Sequence, residues 1–240
     1  VSEVSPSSLS FGQQVLGTVS APRDVTVSNT GSGDVTVNNV AVTPGAGTGA
    51  GEFTVVSGCT GVVVPGESCT IAVRFAPQGS TGPRSATIDI ATNGSVTGHT
   101  VNVTGQAVAP VVSVQVTPTA HNFGNQELGT TATRFVDVTS TGNVSANVGP
   151  FNTSGDPAFA IASNTCGTSL APNATCRVEV AFAPVTVGSK SATLNIGSSA
   201  GLRTVTLSGA GVVIPVSEVS PSSLSFGQQV LGTVSAPRDV

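Results

Sequence analysis

Three observations predict an all-β fold. Only 8% of the 240 residues are charged while 38% are hydrophobic, and the abundant valine and threonine side chains favour strands. Apolar residues alternate with polar ones, as where Ile71, Val73 and Phe75 are separated by Ala72 and Arg74. No segment shows the 3.6-residue period of a helix. This pattern is typical of antiparallel sheets that have one buried and one solvent-facing surface.

Seven strands are predicted in the first half of the chain, in order between turns rich in glycine, proline and asparagine. Turn signals lie at residues 29–33, 44–47, 65–66, 79–83 and 93–94. The runs between them predict strands at residues 7–12, 18–29, 34–43, 52–57, 69–76, 85–91 and 99–105. Seven short strands at this spacing indicate an immunoglobulin-like sandwich.

The second half of the chain repeats the first in diverged form. Residues 9–18, LSFGQQVLGT, return as residues 121–130, HNFGNQELGT, and SATIDI returns as SATLNI. The chain is therefore expected to hold two tandem seven-stranded sandwiches: module A, residues 1–108, and module B, residues 109–213. The strand phase predicts buried side chains in both modules, at Phe11, Ile71, Val73, Phe75, Ile88, Val103, Phe123, Val178, Val180, Phe182, Leu194 and Leu207.

The last 25 residues are the first 25 over again. Residues 216–240 match residues 1–25 letter for letter, at a spacing of 215 residues, and fixed-period self-similarity indicates an array. Residues 214–240 are expected to be the first strands of a further module A. An incomplete sandwich exposes its apolar residues, so we expect inter-unit packing at Leu224, Phe226, Val230 and Leu231. Covalent continuation into a next repeat is favoured over donation of the tail to another subunit as a strand.

Short apolar segments join the modules. GQAVAPVV contains Pro110 and GAGVVIPV contains Pro215. Flexible linkers are usually long and rich in glycine and serine. These segments therefore predict semi-rigid joints, with Pro110 and Pro215 as part of the packing between units.

The four cysteines form two matched pairs. Cys59 and Cys69 are ten residues apart, as are Cys166 and Cys176. Matched positions favour one disulfide per module and an oxidising compartment. A zinc site is the alternative, but it would need CxxC spacing and nearby histidines. The bridge is expected to join a loop to the first core-facing position of the next strand.

The motifs together resemble a known family. Phe-Gly, Leu-Gly-Thr, a V-x-V-x-N-T-G strand and turn, P-G-x-S-C-x-I-x-V-x-F-x-P and a closing V-x-V-x-G are similar to the bacterial choice-of-anchor D repeats. These belong with the ASH (Hydin-like) and MSP-like immunoglobulin-type domains. The resemblance implies a seven-stranded sandwich, secreted or surface-attached tandem arrays, and no catalytic residues. Module B carries Ser140-Thr-Gly142 where module A has Asn29-Thr-Gly31, which we interpret as a turn variant.

Several classes of function are disfavoured by what the sequence lacks. A net charge of −4 argues against nucleic-acid partners, and no apolar run is long enough to predict insertion into a membrane. The acids are scattered, which predicts no metal or cofactor. His99 and His121 lie outside any recognisable catalytic motif, so we expect no enzyme. Arg23, Arg134 and Arg238 recur at one site, either as solvent-facing charges that protect a sheet edge or as partners in an inter-module salt bridge.

The leading hypothesis is an extracellular or cell-surface structural protein whose repeats build a fibre, stalk or coat, with identical copies or neighbouring repeats as its partners. The alternative is an adhesive module that binds carbohydrate or protein. That alternative needs an exposed aromatic platform, and the nine phenylalanines are expected at core positions instead.

Overall fold

Strands make up all the regular structure in a computed structural model of the chain, which describes residues 1–93, 95 and 98–240. In module A the strands are β1 (Ser2–Ser5), β2 (Ser8–Val15), β3 (Arg23–Asn29), β4 (Val35–Pro44), β5 (Phe53–Ser57), β6 (Gly61–Val63), β7 (Ser68–Phe75), β8 (Gly82–Thr92) and β9 (His99–Val108). In module B they are β10 (Val114–Thr117), β11 (Ala120–Glu127), β12 (Ala132–Ser140), β13 (Ala146–Gly155), β14 (Phe159–Asn164), β15 (Ser169–Leu170), β16 (Thr175–Phe182), β17 (Gly188–Ser198) and β18 (Arg203–Val212). The all-β prediction is confirmed.

Within the described residues, each module has one four-stranded and one five-stranded sheet. Module A orders its strands β1-β3-β7-β5 and β2-β9-β8-β4-β6, and module B orders its own β10-β12-β16-β14 and β11-β18-β17-β13-β15. The two orders correspond strand for strand, as the diverged sequence repeat implies. Both modules are therefore immunoglobulin-like β-sandwiches.

The prediction of seven strands missed two short ones in module A, β1 and β6. The first has four residues and the second three, which is too short for an alternating pattern to show. The strand predicted at residues 18–29 also began too early, since the corresponding strand β3 starts only at Arg23. Gly94, in the predicted turn at residues 93–94, lies outside the described residues.

One strand pair in each module is parallel, which the alternating pattern did not predict. Strand β2 pairs in parallel with β9, and β11 does so with β18. The reason is that β1 and β2 are successive segments of one strand that changes sheets. The segment β1 runs antiparallel to β3 in one sheet, and β2 then joins the edge of the other sheet beside β9.

The core of each module lies between its two sheets and is centred on three phenylalanine rings. Phe53 and Phe75 stack with ring centroids 4.5 Å apart, and Phe11 packs against both. A Cβ atom added at Gly105 would collide with the Phe75 ring, so a glycine is required there. All twelve side chains predicted to be buried are buried: Phe11, Ile71, Val73, Phe75, Ile88, Val103, Phe123, Val178, Val180, Phe182, Leu194 and Leu207.

Residues 213–240, beyond the last strand of module B, form no strand. Their local conformation nevertheless repeats that of their twins near the start of the chain. Gly227 and Gly232 have φ angles of +66° and +85°, against +63° and +77° at Gly12 and Gly17. Leu231 is 100% exposed. The segment thus has the turns of its twin and lacks the sheet partners.

Candidate functional site

A disulfide and an asparagine fix the leading end of module A, the end at which its first strand begins. Cys59 is bonded to Cys69, the second residue of β7, which lies on the same face of the strand as the buried Ile71. The buried Asn29 side chain donates to the carbonyls of Gly33 at 2.9 Å and Val63 at 2.8 Å. The bridge joins a loop to the next strand, as expected from the cysteine spacing.

Module B has the same bridge and a different turn. Cys166 is bonded to Cys176, and no free cysteine occurs in the described part of the chain. Ser140 occupies the position of Asn29, is fully buried, and its Oγ has no hydrogen-bond partner among the described residues. A serine side chain is shorter than that of asparagine, and Ser140 makes no bonds like those of Asn29 to Gly33 and Val63. The change from asparagine is therefore more than a turn variant.

A buried ion pair closes the trailing end of module A, the end at which its last strand leaves. Arg84 Nε donates to Glu52 Oε2 at 2.8 Å, and both side chains are 5% exposed. The Glu52 carboxylate also accepts from the backbone N–H of Gln78 at 2.9 Å, and Arg84 donates to the carbonyls of Gln78 and Ser80. The pair therefore holds the β7–β8 loop. Module B has Lys190 beside Asp156 instead, 3.6 Å apart and more exposed.

The recurring arginines pack on the core phenylalanines. The Arg23 guanidinium lies 5.8 Å from the centroid of the Phe11 ring, and Arg134 lies 5.8 Å from that of Phe123. The salt bridges within the described residues involve Arg84, Arg177 and Lys190 instead. No salt bridge of Arg23 or Arg134 occurs among the described residues, and each guanidinium lies over the ring of a core phenylalanine.

Module B carries an exposed aromatic cluster that the sequence analysis missed. Phe135 is 49% exposed on β12, and the Arg177 guanidinium lies 5.2 Å from its ring centroid. Arg177 Nε donates to Asp137 Oδ1 at 2.7 Å, and this hydrogen bond raises the pKa of Arg177. The expectation that all phenylalanines lie at core positions is wrong for Phe135. Its place between Arg134 and Val136, out of phase with the buried Val136 and Val138, was the available signal.

The histidines have structural partners. His99 Nε2 is hydrogen-bonded to Ser2 Oγ at 2.8 Å, and Ser2 Oγ also contacts Thr92 Oγ1 at 3.0 Å, so the cluster ties the two sheets of module A together. His121 Nε2 contacts the Phe135 carbonyl at 2.8 Å. Neither arrangement brings a carboxylate into a hydrogen-bonded line with a serine and a histidine, as nucleophilic catalysis requires.

Within the described residues, no group of three or more His, Cys, Asp or Glu side chains is placed to hold a metal ion. A shallow cavity of about 190 Å³ beside the 45–51 loop is lined by Val42, Phe53, Ala86 and small residues, with no titratable group. No helix among the described residues has the length and apolarity to cross a bilayer.

The segment before β10 is bound to a turn of module B. Asn143 Oδ1 accepts from the Val111 N–H at 2.6 Å, and Asn143 Nδ2 donates to the Ala109 carbonyl at 2.9 Å. The N–H of Thr141 donates to the Ser113 carbonyl at 2.9 Å. A Cβ atom added at Gly142 would collide with the Val111 carbonyl. The residues that follow Pro110 are thus held against module B by backbone and side-chain hydrogen bonds.

These features define a pair of immunoglobulin-like domains with structurally fixed loops. The model of the HYDIN/CFA65/VesB-like, Ig-like domain family matches residues 3–107 and again residues 112–211. The chain belongs to this family, and the Hydin-like resemblance of the motifs is confirmed. Domains of this class act as structural or protein-interaction modules.

A curated relative is the cilia- and flagella-associated protein 65 of Chlamydomonas reinhardtii. It is 33% identical over 142 residues, which is 58% of this chain and 6% of the relative. The chain therefore spans only a small part of that protein.

Among solved structures, a protein of unknown function from Porphyromonas gingivalis W83 is 15% identical, with a TM-score of 0.36 and coverage of 87% of this chain and 99% of that one. The ASH/PapD-like domain of human CEP192 is 15% identical, with a TM-score of 0.35. The match covers 42% of this chain and 87% of the CEP192 domain.

Proposed function

We propose that the chain is a non-enzymatic structural unit of an extracellular tandem array, in which module A and module B alternate to build a fibre, stalk or surface coat. The observation that carries the proposal is residues 216–240, which repeat residues 1–25 letter for letter and have the same turns without sheet partners. A sandwich that has only its first strands cannot bury a core. The segment is complete only when the remaining strands of a module A follow it.

The inter-unit residues belong to this proposal. Phe226 is exposed, whereas its twin Phe11 is buried in the core of module A. Val230 and Leu231 are exposed too, whereas their twins Val15 and Leu16 are half-buried. In a completed module the tail residues would pack as their twins do, and Pro215 would lead into that module as Pro110 leads into module B. Covalent continuation is preferred to strand donation, because the matching place in every module A is already filled by its own first strands.

The disulfides support the extracellular part of the proposal, because structural disulfides persist in oxidising compartments. Limited proteolysis of intact cells, followed by mass spectrometry of unreduced peptides, tests it. We expect peptides released before lysis, with Cys59 linked to Cys69 and Cys166 to Cys176. Peptides that are found only after lysis, with free thiols, would overturn the extracellular assignment.

A second candidate function is adhesion, which the exposed Phe135 beside Arg177 favours. An aromatic face next to a fixed guanidinium and the Asp137 carboxylate offers both stacking and hydrogen bonds to a glycan or a protein loop. Binding of the Phe135→Ser variant to glycan arrays and host-cell surfaces distinguishes the candidates. Lost binding with unaltered assembly would establish adhesion, and unchanged binding would exclude Phe135 as its site.

A further inference from the structure

The trailing end of module B is apolar. Val185 is 80% exposed and Val187 is 62% exposed in the β16–β17 loop. This loop lies beside the departing chain, because Gly188 pairs with Gly211. The β11–β12 loop contacts both: the N–H of Gly129 donates to the Pro184 carbonyl, and the N–H of Leu128 donates to the Val212 carbonyl. Two further apolar side chains in the departing segment, Val213 and Ile214, are also exposed.

The trailing end of module A is polar at the same positions. Counted from FAP, Gln78 and Ser80 stand where module B has Val185 and Val187, and the module A loop is one residue longer. The carbonyls of both residues are bound by Arg84. Two modules with one fold therefore differ in the chemistry of this end, and fold alone does not require valines there.

The leading ends differ at three aligned positions, although module B also exposes Val111 and Val112 in the segment before β10. In module A, Val62 is 61% exposed and Val64 is 49% exposed, close to the exposed Val1. They share one end of the module, because Asn29 binds the Val63 carbonyl and the N–H of its neighbour Thr30 donates to the Val1 carbonyl at 3.0 Å. In module B the aligned positions hold three smaller or polar residues: Ser113, Ser169 and Ala171.

We infer that the trailing end of module B is a docking surface for the leading end of a following copy of module A, formed by Val185, Val187, Val213 and Ile214 against the twins of Val1, Val62 and Val64. The inference rests on the proposed array and identifies the partner within it. The occupant follows from continuity of the chain, because the residues after Ile214 and Pro215 are those that begin module A.

Exposed valines at both ends form a matched pair of surfaces, and burial of apolar area against apolar area is favourable. A covalent link places the two surfaces at high effective concentration, so a small contact is enough to fix the joint. Covering these side chains would also remove an exposed apolar patch from the array.

The test uses the chain continued past Val240 by one further copy of residues 26–108, so that a whole module A follows module B. Hydrogen exchange of the core amides reports how often that appended module opens. The variant Val185→Gln/Val187→Ser copies the residues of module A into module B. The control is Leu202→Gln, because Leu202 is 61% exposed in the same module at the opposite end of the β17–β18 hairpin.

We expect Val185→Gln/Val187→Ser to speed exchange in the appended module about tenfold, with Leu202→Gln having no effect. Val62→Ser/Val64→Ala in the appended copy should have a similar effect, and the two double variants together should add little more, because both remove one contact. Unchanged exchange in module B confirms that its own fold is intact.

An effect of Val185→Gln/Val187→Ser no larger than that of Leu202→Gln would overturn the inference. Fully additive effects of the two double variants would overturn it as well. Either result would leave the array itself standing if the native material shows the repeat spacing. A native protein with no repeat spacing would instead refute the proposed function, whatever the exchange rates show.

Discussion

At the scale of single residues, Asn29 and Ser140 give the leading turns of the two modules different hydrogen bonding. In addition to its bonds to Gly33 and Val63, Asn29 accepts from the N–H of Gly31 at 3.0 Å through Oδ1. Ser140 is equally buried and leaves its hydroxyl without a partner among the described residues. Sequence reasoning could align Asn29 with Ser140 but could not tell that the side chain at this position lies inside the module, because turn residues are usually solvated.

The Asn29→Ala variant is expected to destabilise module A by about 2–3 kcal/mol, because three hydrogen bonds of buried groups are lost. Ser140→Ala is the matched change in module B and is expected to be neutral or stabilising by up to about 1 kcal/mol, because it removes an unpaired hydroxyl. Urea unfolding, with hydrogen exchange to assign the effect to a module, measures both. Equal losses in the two variants would contradict this interpretation.

The stacked phenylalanines are expected to dominate core stability. Phe75→Ala and Phe182→Ala should each cost about 3–5 kcal/mol, because each removes a fully buried ring and leaves a cavity that the sheets cannot close. Phe135→Ala is the exposed control and should cost under about 1 kcal/mol. Thermal unfolding followed by circular dichroism gives the values, and a small loss at both buried positions would show that the core is placed wrongly.

At the scale of strands and loops, the elements with strong alternation were predictable and the short or irregular ones were not. Strand β7 was predicted at residues 69–76 and lies at Ser68–Phe75, because four inward positions are spaced by two. Strand β6 is only three residues long, and it is fixed by pairing with β4 rather than by its own pattern. The parallel β2–β9 pair depends on a change of sheet, which no local pattern encodes.

The β7–β8 loop of module A depends on the Arg84–Glu52 pair. Arg84→Met leaves the Glu52 carboxylate buried beside a single N–H donor, and should cost about 3–5 kcal/mol. Lys190→Met, the matched change in module B, should cost under about 1 kcal/mol, because its pair with Asp156 is longer and partly exposed.

Urea unfolding of both variants measures the difference. The double variant Arg84→Met/Glu52→Gln should be less destabilised than the sum of its two single changes, because the stranded charge is gone. A cost for Arg84→Met no greater than that for Lys190→Met would show that the buried pair does not hold the loop.

For the whole molecule, the sequence repeat carried more information than any single motif. The duplication of residues 1–25 at residues 216–240 was visible in the letters alone. The apolar trailing end of module B was not visible in the sequence, because valine is common in buried strands. Only the structure shows that Val185 and Val187 are exposed. The Phe135 cluster was missed although a local signal existed, since Phe135 is out of phase with Val136 and Val138 in β12.

The most direct test of the array is electron microscopy of the native material. Strands of up to eleven residues at about 3.3 Å per residue give modules of roughly 30–40 Å, so one A–B unit set end to end would repeat at about 60–80 Å. We expect fibres or a coat with that axial spacing. Dispersed single particles without any axial repeat would contradict it.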